Sequence, residues 1–128
     1  MKRGTISILL ILAYAVFALA RIPGIAGTWR GESVCTIKDS PCHDEKVIYR
    51  ISEPNSKGDL KIQADKVVNG QPVDMGTLDC NFNASSAKLI CKMSNGIWEF
   101  AVTDEKMTGT LKLTDGRLFR NIQVTKDR

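Results

Sequence analysis

From Gly27 to the C-terminus, apolar residues recur at every second position in short runs, and each run is closed by turn-forming residues. No stretch repeats at the 3.6-residue period of a helix. The spacing predicts strands over 28–37, 45–52, 59–67, 74–83, 87–93, 97–103, 106–113 and 117–125. Between them stand Asp39-Ser40-Pro41, Pro54-Asn55-Ser56-Lys57-Gly58, Asn69-Gly70-Gln71-Pro72, Ser85-Ser86, Asn95-Gly96, Asp104-Glu105 and Asp115-Gly116, residue types that turns favour. Such a chain is all-β.

Each run has one apolar face. Val47, Tyr49 and Ile51 oppose Ile48, Arg50 and Ser52; Leu60, Ile62 and Ala64 oppose Lys61, Gln63 and Asp65; Trp98, Phe100 and Val102 share a face, as do Met107, Gly109, Leu111 and Leu113. One side is therefore buried and the other wet, the pattern of an antiparallel sheet. Eight consecutive strands can close into a barrel or split into a two-sheet sandwich. Short successive hairpins favour an eight-stranded antiparallel up-and-down β-barrel, since a sandwich needs longer crossings between its sheets.

Ahead of this region, Lys2 and Arg3, the apolar run Ile6 to Phe17 and the small-x-small triplet Ala18-Leu19-Ala20 read as a signal peptide over 1–20. A membrane anchor is the competing reading, but it needs about 20 apolar residues and the run before the cleavage site is about 12 to 15 long. Arg21 rather than Cys follows the site, so nothing suggests lipidation. Residues 21–128 then form a single domain that is secreted or periplasmic, with no further apolar run able to span a bilayer. Loss of Lys2 and Arg3 lowers the formal charge from +4 to +2, and the remaining charges alternate in sign. That argues against nucleic acid as a partner.

In an oxidising compartment, Cys35, Cys42, Cys80 and Cys91 read as two disulfides. No cysteine pair has the spacing of a zinc knuckle and the chain holds 1 histidine, so no metal is expected. Four cysteines allow three connectivities. A hairpin turning at Ser85-Ser86 sets Phe82 opposite Leu89, Cys80 opposite Cys91 and Leu78 opposite Met93, all on one face. Cys35 and Cys42, flanking the first loop, are left as the second pair. Each bridge closes a short ring, worth a little under ~3 kcal/mol by chain entropy.

Gly27-Thr28-Trp29, at the start of the first strand, resembles the Gly-x-Trp opening of the calycins, the group of lipocalins, avidin-like and fatty-acid-binding proteins. The resemblance implies a barrel whose first-strand Trp is covered at the closed end by a basic residue from the last strand. Lys126 or Arg128 matches that role. It also implies an exported small-molecule binder of lipocalin type for a hydrophobic or amphiphilic ligand, needing no cofactor.

No catalytic constellation stands out, and the chain reads as a non-enzyme. Cys42-His43-Asp44 has the residue types of a thiol nucleophile and base, but adjacent side chains rarely converge and Cys42 is expected to be oxidised. His43, Asp44 and Glu45 read as solvated loop residues sooner than as metal ligands. Asn83-Ala84-Ser85 fits the glycosylation acceptor pattern at a hairpin tip. The most informative polar residue is Arg120, which alternation places among the inward Leu118, Ile122 and Val124. A buried guanidinium requires a partner.

Two readings of Arg120 stand side by side. In one it forms a buried pair with Glu45, which shares the inward parity of strand two. In the other it receives an acidic or polar head at the barrel mouth, with Ser33 and Tyr49 as further donors above an apolar floor of Trp98, Phe100 and Met107. A second functional class is a protein-binding module, such as an inhibitor of an exported lysozyme or protease acting through the bridged loop 36–44. Cavity size separates the classes: a void of about 300 Å³ or more favours a carrier and a packed interior favours an inhibitor.

Overall fold

The computed structural model describes residues 24–128; the expected signal peptide lies outside the described residues. The strands run β1 (Gly27–Cys35), β2 (Glu45–Ile51), β3 (Asp59–Val68), β4 (Gln71–Asn83), β5 (Lys88–Met93), β6 (Gly96–Thr103), β7 (Lys106–Leu113) and β8 (Leu118–Lys126). Each pairs antiparallel with its sequence neighbours, and β8 returns to β1, closing an up-and-down barrel of eight strands. Closure leaves no long free sheet edge over most of the wall.

Gly31 is required at the closing seam. A Cβ there would lie 1.8 Å from the backbone oxygen of Gln123 on β8, so only glycine lets the two strands approach. Trp29, Ile62, Leu89, Phe100, Met107 and Ile122 are the largest fully buried side chains, and all come from the inward parity set. Together they fill the barrel interior below the mouth. Trp29 donates its indole N–H to the carbonyl of Ile25 at 2.9 Å, drawing the segment ahead of β1 across the end where Trp29 sits. Lys126, directly opposite Trp29 on β8, has its ammonium 6.0 Å from the ring centroid and donates to the Gly24 carbonyl at 2.5 Å. Arg128 instead reaches Glu105 at 3.3 Å on the surface.

Both disulfides are formed, Cys35–Cys42 and Cys80–Cys91. Phe82 faces Leu89 and Cys80 faces Cys91, the register that the turn between β4 and β5 implies. Leu78 and Met93 do not pair, however, and β4 and β5 separate beyond the disulfide. The second correction is at the start of β4, which begins at Gln71 rather than at residue 74. Asn69 and Gly70, both with positive φ (51° and 77°), make a two-residue turn, so Val68 already pairs with Gln71 and Val67 with Pro72. Pro72 is compatible with the strand because no neighbour pairs on its other side.

A β-bulge interrupts this hairpin. Ala64 faces Gly76 and Asp65 faces Asp74, leaving Met75 as the extra residue. Beside it on the outer face, Arg50 Nη1 donates to Asp65 Oδ2 at 2.5 Å and Gln63 Nε2 donates to Asp65 Oδ1 at 2.6 Å. These hydrogen bonds, Arg50's first, hold the Asp65 carboxyl below its ordinary value of 3.8. A carboxylate depressed in the folded state contributes stability above its unfolded pKa and loses it as pH falls through the folded value. Asp65→Asn is therefore expected to lose less melting temperature than the parent between about pH 5 and about pH 2. Equal losses would show that Asp65 adds nothing to the acid limb.

Candidate functional site

The end of the barrel opposite Trp29 carries the loop 36–44 and the turns between β3 and β4, β5 and β6, and β7 and β8. Just beneath them lies a cavity of about 230 Å³. Of the residues expected at the mouth, Ser33 (β1), Glu45 and Tyr49 (β2), Trp98 and Phe100 (β6) and Arg120 (β8) all line it. Met107 does not. It is fully buried on β7 opposite Val124 and Val102, deeper in the barrel, so it shares the inward face without sharing the height.

Arg120 occupies the polar wall. Its Nη1 donates to the Ser33 carbonyl at 3.3 Å, the Ser33 hydroxyl at 3.2 Å and the His43 carbonyl at 3.1 Å. Nη2 approaches Glu45 Oε1 at 3.6 Å, longer than the ~2.7–2.9 Å of a charge-assisted hydrogen bond. The expected partner is thus present but loose, and two backbone carbonyls hold the guanidinium more closely. Cys35 stands directly opposite Arg120 across the β1–β8 seam, so the Cys35–Cys42 bridge anchors the loop that presents His43. Asp44 strengthens that loop by accepting the Cys35 backbone N–H at 2.9 Å.

Tyr49 completes the polar group and is the anomaly of the site. Its side chain is 3% exposed, and its hydroxyl has no hydrogen-bond partner among the described residues. Burial first, then the nearby Glu45 carboxylate, push the phenol above its ordinary value, while Arg120 opposes them. The group therefore stays neutral and keeps a proton to donate. A buried orphan hydroxyl of this kind costs about 1–3 kcal/mol. No family model and no curated protein sequence matches this chain.

The remaining walls are apolar. Phe100 packs edge-on against Tyr49 with ring centroids 6.2 Å apart, and Trp98 lies parallel to Phe100 at 6.1 Å. Ile62, Ala64, Met75, Leu78 and Met93 complete the lining. The three from β3 and the barrel core side, Ile62, Ala64 and Leu78, follow from inward parity, but Met75 enters only because of the bulge. Cys42-His43-Asp44 forms no nucleophilic site, since Cys42 is bridged and Asp44 caps Cys35. Among the described residues no group of three or more His, Cys, Asp or Glu side chains is placed to hold a metal ion. The described residues contain no helix long and apolar enough to cross a membrane.

Proposed function

We propose that this protein is an exported small-molecule binding protein of lipocalin-like type, whose barrel mouth takes an amphiphile with an acidic or polar head. The observation that carries this reading is the unpartnered hydroxyl of Tyr49, a residue that lines the cavity together with Arg120. A ligand carboxylate bound there would accept from Tyr49 and from Arg120 Nη2, and its apolar part would lie against Trp98 and Phe100. Glu45, loosely held at 3.6 Å and partly exposed, can swing away as the head enters. At about 230 Å³ the cavity falls short of the ~300 Å³ that favours a carrier, so size does not support this reading over the inhibitor one; the support is Tyr49 and Arg120, and an occupant must be small. Two disulfides accord with the extracytoplasmic location this role requires.

Tyr49→Phe separates a ligand-binding hydroxyl from a structural one. The variant is expected to be as stable as the parent or up to ~1 kcal/mol more stable, because an orphan polar group has been removed. Its affinity for octanoate, read by quenching of Trp98 fluorescence, is expected to fall about tenfold. A variant that loses stability and binds octanoate as before would mean the hydroxyl serves the fold alone. Native mass spectrometry of protein taken from its own host adds an independent readout: a retained small molecule supports the reading. A co-purified hydrolase would favour the inhibitor reading instead.

A further inference from the structure

The wall beside the cavity is unpaired between β4 and β5. β4 is paired with β3 from Gln71 to Asn81, and β5 is paired with β6 from Lys88 to Met93. To each other they are paired only from Cys80 to Asn83 and from Lys88 to Cys91. Beyond the Cys80–Cys91 bridge, toward the mouth, the two strands are no longer paired, and the bulge at Met75 lies in this unpaired part of β4. Met75 stands on one lip of this slot and Met93 on the other. Both line the cavity, yet they are 42% and 40% exposed, so each side chain reaches from the interior to solvent. Trp98 fixes the second lip by donating its indole N–H to Met93 Sδ at 2.8 Å.

The free edge of β4 is poorly suited to adding a strand from another chain. Pro72 lacks a donor, the bulge breaks the ladder, and the Gly76 N–H is already taken by Asp74 Oδ1 at 2.7 Å. Those are devices that block edge pairing. What the slot does offer is a pair of apolar side chains, Met75 and Met93, that line the cavity and also meet solvent. The cavity itself holds roughly eight water-sized groups at ~30 Å³ each, enough for a polar head and a short tail.

Resting on the ligand-binding reading above, we propose that the slot between β4 and β5 is a lateral exit for the ligand's apolar tail, and that Met75 and Met93 set which tails are accepted. The ligand class is then a linear alkyl chain with an acidic head, longer than the cavity that holds the head. Flexible, polarisable methionine side chains suit this position, since they can follow chains of different length.

Linear alkyl carboxylates test the proposal on the intact mature protein. Dodecanoate is expected to bind about tenfold or more tighter than octanoate, because its extra methylenes lie between the lips instead of in water. Met75→Asp is expected to bring that ratio close to one. With the methionine methyls ¹³C-labelled, dodecanoate bearing a nitroxide at its tail end should broaden Met75 and Met93 and spare the buried Met107. Methyl signals of Met75 and Met93 left as sharp as that of Met107 would place the tail away from the slot and overturn the lateral exit. Equal affinities for the two acids would overturn it also, while leaving head-group binding intact. If neither acid binds, the ligand-binding reading fails, and the slot loses its role with it.

Discussion

Trp29→Ala is expected to destabilise the protein by about 3–5 kcal/mol, the usual range for emptying a fully buried large aromatic site. Three things are lost together. The indole is 0% exposed, so its removal leaves a void at the closed end of the barrel. Its N–H no longer holds the Ile25 carbonyl, so the segment that crosses that end is released along with the buried Ile25 side chain. Lys126 loses the ring face beneath its ammonium and keeps only its bond to Gly24. In a domain of this size the loss is a large part of a total stability of roughly 5–15 kcal/mol. Urea unfolding checks it: the midpoint should drop steeply at unchanged slope. Trp29→Phe, which keeps most of the packing but lacks the N–H, should fall between the two. A midpoint left where it was would mean that the Trp29 end is not what holds the barrel shut.

Much of this architecture is legible in the sequence, since period-two alternation and turn chemistry are local signals that name the strands, the inward faces and the barrel class. The Cys80–Cys91 register follows from one turn by counting. The departures share a cause. Pro72 reads as a loop residue by itself, and only the absence of a neighbour on that side makes it acceptable in β4. The bulge does leave a trace: Val73 and Met75 are odd-numbered while Leu78, Cys80 and Phe82 are even, a parity switch that an added residue in the strand explains. Met107 was expected at the floor of the mouth because alternation tells which face a residue occupies but not its height along a tilted, staggered barrel. The closest partners of Arg120 were out of reach for another reason. Beside the Ser33 hydroxyl, which inward parity does place there, they are the carbonyls of His43 and Ser33, and nothing in side-chain patterning reports where the backbone will aim its oxygens.

Those carbonyls change what should follow from removing Arg120. Arg120→Leu is expected to cost about 3–5 kcal/mol, as for a broken buried ionic group. Three acceptors lose their donor at once: the Ser33 carbonyl and hydroxyl and the His43 carbonyl. Glu45 contributes less than sequence alone suggests, because it lies 3.6 Å from Nη2 and its side chain is 23% exposed, so water can replace the guanidinium there. Adding Glu45→Gln to Arg120→Leu should therefore recover no more than ~1 kcal/mol, and the coupling energy in the double-mutant cycle should be correspondingly small. A coupling of about 3 kcal/mol or more would instead make the Arg120–Glu45 pair the dominant interaction and leave little reason for Glu45 to yield to a ligand. Arg120→Lys sharpens the distinction: one ammonium keeps the charge near Glu45 but cannot reproduce the fork that sets Nη1 on Ser33 and His43 while Nη2 points toward Glu45. If the carbonyls dominate, Arg120→Lys should lose most of the stability that Arg120→Leu loses, and octanoate binding should fall in both variants. Full stability in Arg120→Lys would place the weight on charge alone and return Glu45 to the centre of the site.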